Sequence, residues 1–170
     1  MIKTKSLFYF LILILLFSSC ARQRHKVVFQ SPFAERKQET WGYPLPEAPF
    51  QITSPFGEIR RKGTTTYLHQ GIDIKAEKGT PVLAVQKGIV IFAGKSTGYG
   101  LLVCIEHPGQ WESRYAHLDC IKVKENNKVK KGQIIGKVGA TGNATGPHLH
   151  FELRRNGIPV NPAPLLSIKK

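Results

Sequence analysis

Hydrophobic patterning divides the chain into three stretches. Leu7 to Phe17 is an unbroken apolar run. Residues 21–50 are polar and charged, from RQRHK at 22–26, then proline-rich through YPLPEAPF at 43–50, with neither a helical nor a strand period. From Ile52 onward short β-branched stretches alternate with glycine: GIDIKA (71–76), PVLAVQKGIVIFAG (81–94), LLVCIEH (101–107), WESRYAHL (111–118), KVKKGQIIGKVG (128–139) and HLHFELRRNG (148–157). Short, evenly spaced strands of this kind predict an all-β fold of mainly antiparallel sheets. No 3.6-residue period competes over any useful length. Pro108-Gly109 joins two of the strands as a hairpin turn. The segments GTPVLAVQKGIV and KKGQIIGKVG each pair a glycine turn with a β-branched strand, as the halves of an internally duplicated fold would. Residues 51–170 are enough for one core, and no second domain is needed.

The N-terminal pattern reads as targeting rather than fold. Eleven apolar residues behind Lys3 and Lys5 are too short for a span, which takes about 20, and match an export signal instead. The stretch Phe17-Ser18-Ser19-Cys20 resembles the lipobox of bacterial lipoproteins, which makes Cys20 the acylated first residue of a mature chain; the alternative is an ordinary signal with an incidental cysteine. Residues 21–50 then read as a tether, extended where prolines cluster, with His25 a solvated linker residue. Ala21 fits sorting to the outer membrane, facing the periplasm, where an envelope has two membranes.

Charge narrows the partners. Without Lys3 and Lys5 the chain keeps 23 Lys and Arg against 11 Asp and Glu, a net +12. A basic surface attracts polyanions. Export makes nucleic acid a poor partner and favours anionic wall polymers or lipid head groups. Cys104 and Cys120 sit in a disulfide-permitting compartment, but the turn at Pro108-Gly109 sets Cys104 near Ser113 and leaves Cys120 several residues beyond. Two buried free thiols are therefore expected.

Chemistry concentrates in two places. Read as one strand, YLHQGIDIKA (67–76) sends His69, Gly71 and Asp73 to one face, Gly71 leaving room between the polar side chains. The same alternation puts His148 and His150 on one face of the last strand. Imidazole nitrogens plus a carboxylate oxygen suit zinc, and three protein ligands leave a fourth tetrahedral position open. Alone, an HxH pair in a strand is more often structural or exposed, and HxxxD is common by chance. Together in this glycine setting they form a candidate site.

In order and spacing, SPFGEIR (54–60), HQGIDIKAEKGTPVLAV (69–85), GYGLLVCIEH (98–107), YAHL (115–118), KKGQIIGKVGATGNATGPHLHFELRRNG (130–157) and VNP (160–162) resemble the M23 zinc metallopeptidases, the LytM or lysostaphin-type peptidoglycan endopeptidases. The resemblance runs from about Thr53 to Pro164. It implies a duplicated hybrid β motif, one zinc ion per chain on His69, Asp73 and His150, and His117 and His148 as the catalytic pair beside it. Which of the two is the base stays open, and no substrate-binding residue is assigned. The substrate it implies is peptidoglycan, cut at peptide bonds of stems or cross-links during wall remodelling or division. Some relatives have lost ligands and activate amidases instead, which would make an amidase or the division machinery the partner; all five positions here keep the expected residue type. FGEIRR leaves open whether Arg60 or Arg61 takes the family's arginine role, and Asp119-Cys120 replaces a commoner serine context. The glycine-rich run 139–148 reads equally as a loop beside the site or a plain turn. Trp111 and Tyr115 alternate with Ser113 on one face and read as packing residues, Trp41 as a residue that could pack back on the domain, and His107 as structural or exposed. A lipoyl- or biotinyl-type carrier shares the glycine-strand cadence but lacks a lysine in the tight turn.

Overall fold

The computed structural model describes residues 41–46 and 51–166, all within one compact unit, Glu39–Lys170. The leading apolar run, Cys20 and His25 lie outside the described residues. The strands are β1 (Ile52–Ser54), β2 (Ile59–Lys62), β3 (Thr65–Leu68), β4 (Ile72–Lys75), β5 (Pro81–Leu83), β6 (Gly88–Ser96), β7 (Gly100–His107), β8 (Trp111–Ile121), β9 (Lys128–Val129), β10 (Ile134–Val138), β11 (His148–Arg155) and β12 (Ile158–Val160), followed by the one-turn helix α1 (Ala163–Leu166). The main sheet runs β1-β4-β11-β8-β7-β6-β9, with β10 joined to β5 and β8 and β12 joined to β11; β2 and β3 form a separate hairpin. The strands of each paired ladder are antiparallel, as the patterning predicts.

Alternation decides which face is core. In β11, Leu149, Phe151 and Leu153 are fully buried against Ile72 and Ile74 of β4 and Tyr115 of β8, while His148, His150, Glu152 and Arg154 take the opposite face. Apolar burial on one side thereby sets the register that brings polar groups together on the other. The two similar glycine-turn segments pair with each other: Leu83 faces Ile134 and Pro81 faces Lys137, extended by backbone bonds from Ala84 N to Gln133 O and from Gly79 N to Val138 O.

Two expectations change. YLHQGIDIKA is not one strand: it breaks at His69–Gly71 between β3, in the hairpin, and β4, in the main sheet. Gly71 is needed for a different reason from the one expected, because a Cβ there would come within 2.4 Å of the Phe151 carbonyl oxygen. Only a residue without a side chain lets this kink lie on the β11 backbone. Cys104 and Cys120 are both free, yet only Cys104 is buried, among Leu102, Ala116, Phe92 and Tyr99; Cys120 is half-buried. Burial pushes the Cys104 thiol up to about 12.

Trp41 to Pro46, expected in the tether, belong to the folded unit. Gly42 N donates to Val85 O, Leu83 N donates to Pro44 O, and Leu45 is buried in the core. Trp41 meets Trp111 edge-on at 5.1 Å and His107 at 5.6 Å between ring centroids. Arg155 stacks on Trp111 at 5.3 Å, so this aromatic is a packing residue. His107 is buried and structural. Its Nδ1–H donates to Lys87 O and its Nε2 lies 2.7 Å from Ser113 Oγ, which in turn is 3.0 Å from the Tyr115 hydroxyl. Burial lowers its pKa and keeps it neutral inside that chain of hydrogen bonds.

Candidate metal centre and cleft

His150 and Asp73 are cross-strand partners, placed opposite each other by the β11–β4 register. His69 reaches them from the kink ahead of β4. Its Nε2 is 3.0 Å from His150 Nδ1 and 3.2 Å from Asp73 Oδ1, while His150 Nδ1 is 2.8 Å from Asp73 Oδ1. All three residues are buried, and their ligand atoms lie within 4.8 Å of one another.

Surrounding groups decide which atoms face the centre. The Pro55 carbonyl accepts from His69 Nδ1 at 2.9 Å, and Glu152 Oε1 accepts from His150 Nε2 at 3.1 Å. Those bonds assign the tautomers and turn the lone pairs of His69 Nε2 and His150 Nδ1 inward. Two lone pairs and a carboxylate oxygen meeting at about 3 Å repel one another unless a cation, or a proton, lies between them. Tetrahedral zinc with bonds of about 2.0–2.1 Å sets its ligands about 3.3 Å apart. The residues therefore fit a zinc ion in separation, donor type and orientation. With a proton in its place, burial works against a charged His150, but Asp73 and Glu152 outweigh it and raise its pKa. Burial also opposes the Asp73 charge, yet bonds from His150, His69 and Arg60 hold its carboxyl well below the usual carboxylate range. Arg60, not the exposed Arg61, is the arginine that reaches the site: its Nη2 donates to Asp73 Oδ2 at 2.5 Å and to Ser54 Oγ at 2.6 Å.

His117 arrives by a different route. Strict alternation would send it into the core beside Tyr115. Instead β8 carries one extra residue opposite β7, between the Tyr115–Val103 and Leu118–Leu101 pairs, and a second irregularity opposite β10. At that bulge His117 adopts φ 59°, a left-handed conformation rare for a residue with a side chain. The turn swings its ring to the polar face, 4.8 Å from His148 and 5.7 Å from His150 between centroids. Thr141 O accepts from His117 Nδ1 at 2.7 Å and Gly146 O accepts from His148 Nδ1 at 2.9 Å. The glycine-rich run is thus a loop beside the site that orients both histidines and leaves each Nε2 for the cleft. Gly142 of the same loop packs against the Gly98–Gly100 turn so closely that a Cβ would lie 2.4 Å from Gly100 N. Burial, with His148 and His150 nearby, pulls the His117 pKa down to about 4 and keeps the ring neutral near pH 7.

Space is present on both sides of the centre. A cleft of about 300 Å³ is lined by Tyr67, Leu68, Tyr99, His117, Asn143 and His150, among others, and a second of about 360 Å³ by Asp73, His148, Thr145 and Pro147. Glu152 and Tyr99 are functional neighbours that the motif reading passed over. Glu152 is fully buried; despite that burial, His150, Tyr99 and Arg154 pull its pKa down to about 2. The Tyr99 hydroxyl donates to Glu152 at 2.8 Å. The signal for Glu152 was available, since it continues the His148, His150 alternation by one step.

The Peptidase family M23 model matches residues 67–162, more than half of the chain and every residue of the candidate centre. The chain belongs to peptidase family M23. It is 46% identical over 74% of its length to the DD-carboxypeptidase/endopeptidase Mpg of Neisseria meningitidis serogroup B, and 42% identical over 70% to the peptidoglycan DD-endopeptidase ShyB of Vibrio cholerae. The matched part spans 29% and 28% of those two proteins. A crystal structure of a zinc-containing peptidase from Vibrio cholerae superposes with a TM-score of 0.67 at 41% identity, over 72% of this chain and 39% of that one.

Proposed function

We propose that this chain is a zinc-dependent endopeptidase of the cell envelope that hydrolyses peptide bonds in peptidoglycan stems or cross-links. The observation that carries the reading is the inward convergence of His69 Nε2, Asp73 Oδ1 and His150 Nδ1, each oriented by a partner that is not itself in the centre. The names of the M23 relatives support peptidoglycan as substrate and zinc as the metal. A zinc ion held there supplies Lewis acidity to a peptide carbonyl and to water.

The chain's own residues do the rest. His117 is neutral near pH 7 and can accept a proton from the attacking water. His148, fixed through Gly146 O, keeps its Nε2 in the cleft beside His117, and the proton that His117 takes up would pass to the leaving amine. The paired cleft volumes accommodate substrate on both sides of the scissile bond. Acylation of Cys20, a tether ahead of Trp41 and an outer-membrane location complete the reading for the whole chain. The rival, a silent relative that activates an amidase, has less support because no ligand position is degenerate.

The test is a set of variants on purified sacculi with zinc content measured in parallel. His69→Ala and Asp73→Ala should lose stoichiometric zinc and wall hydrolysis together, as should chelator treatment of the parent. His148→Ala should keep zinc and lose turnover. A zinc-free, inert parent would overturn the peptidase in favour of the activator.

A further inference from the structure

Far from the centre, a second feature recurs in the sequence: Lys122-Val123-Lys124 and Lys128-Val129-Lys130-Lys131. The fold treats the two alike. Each valine is buried in the core and each lysine is exposed. Backbone turns at Lys124–Asn127 and Lys130–Gln133 bracket the second segment, and residues 122–131 carry five lysines against one acid, Glu125, with exposed Glu106 opposite Ile89 a second acid on the rim. Pairing of β9 with β6 adds Lys87 next to Gly88 and sets exposed Ile89 opposite Lys128; Ile91 and Ile134, close by in sequence to paired residues, are also about half exposed. A cleft of about 440 Å³ lined by Lys87, Ile89, Pro108 and Lys128 lies on this rim.

We infer that this lysine rim is a docking surface for the anionic head groups of a lipid bilayer. Exposed isoleucines set among lysines give an apolar footing with charge around it, the combination that interfacial surfaces use. The segment 41–46, a clasp that starts the folded unit, favours a bilayer over a free polymer. Gly42 lies against the Lys131 stem, where a Cβ would meet Cε at 3.0 Å, so the described segment begins beside the rim, and the proposed tether would join the domain there. In the sheet order β9 stands at the end opposite β1 and β4, so the rim and the metal centre belong to different ends of the strand sequence. This choice of occupant rests on the proposed tether, whereas the rim's charge does not.

The experiment uses the full chain with Cys20→Ala, which prevents acylation, and vesicles of phosphatidylcholine alone or mixed with phosphatidylglycerol. The apolar run Leu7–Phe17 contributes equally in every variant, so dependence on phosphatidylglycerol isolates charge. A lysine near an anionic surface is worth about fivefold in partition, so K124Q/K128Q should weaken binding to the mixed vesicles about 25-fold. R61Q/K95Q, with the same charge change away from the rim, should leave it nearly unchanged. Raised salt should abolish the difference between parent and K124Q/K128Q. Equal binding to both vesicle types, or equal losses from the two double variants, would overturn the proposal. Rim-dependent binding to sacculi without any preference for phosphatidylglycerol would overturn it too, moving the rim to a wall polymer. Intact mass of the lipid-processed chain separates the two ideas: unmodified Cys20 with rim-dependent partition sinks the tether alone.

Discussion

His150 is held at its outer end. Glu152 accepts from Nε2, so the ring presents its one lone pair, on Nδ1, to the centre beside Asp73 Oδ1 at 2.8 Å. Glu152 is itself pinned by the Tyr99 hydroxyl and Arg154 Nε, which leaves its carboxylate no alternative orientation. Partners of this kind set ligand basicity and tautomer, and their loss commonly weakens metal binding by about 10- to 100-fold. Glu152→Gln should therefore keep the fold by circular dichroism yet weaken zinc affinity within that range, measured by competition with a chromophoric chelator. Unchanged affinity would show that the register alone orients His150. Tyr99→Phe, which removes one of three donors to Glu152, should have a smaller effect in the same direction.

At the scale of elements, the bulge in β8 is what turns a core-facing position into a cleft-facing one. A left-handed φ at a residue bearing a Cβ costs about 1–2 kcal/mol relative to glycine. His117→Gly should thus unfold in urea at least as late as His117→Ala, by about 1 kcal/mol, while both lose turnover. If the alanine variant were the more stable, the strain would not be in the backbone. The bulge also marks the limit of the sequence reading. Alternation in HLHFEL places His148 and His150 on the polar face, and the antiparallel sheet follows from spaced β-branched runs. His117 could be found only by its resemblance to YAHL, because an inserted residue breaks the period of two. The break at His69–Gly71 was hidden for a related reason: the reading saw room at Gly71, but the cause is the Phe151 carbonyl of a strand some eighty residues later. Arg60 and Arg61 are equivalent as letters and differ only once Asp73 is in place.

For the molecule as a whole, the clasp at residues 41–46 extends the core beyond the motif region. Trp41 covers Trp111 and the buried His107 chain, and Leu45 fills the core below. Trp41→Ala should lower stability by about 2–3 kcal/mol, below the range of about 3–5 kcal/mol for losing a fully buried large aromatic, because the ring is only half-buried. Chemical denaturation reads this directly, and zinc affinity should stay near that of the parent. The sequence left this segment undecided because a single tryptophan among prolines carries no period to place it.

That clasp also determines how the domain answers a pull. Tension on the chain ahead of Trp41 meets an edge-to-face aromatic stack and the Gly42–Val85 and Leu83–Pro44 backbone bonds before it reaches any strand of the centre. The load enters through β5 and the loop after it, and the ligand-bearing strands β4 and β11 lie outside that first line of force. A pull through the proposed tether would thus be met first at the clasp, while His69, Asp73 and His150 keep their spacing.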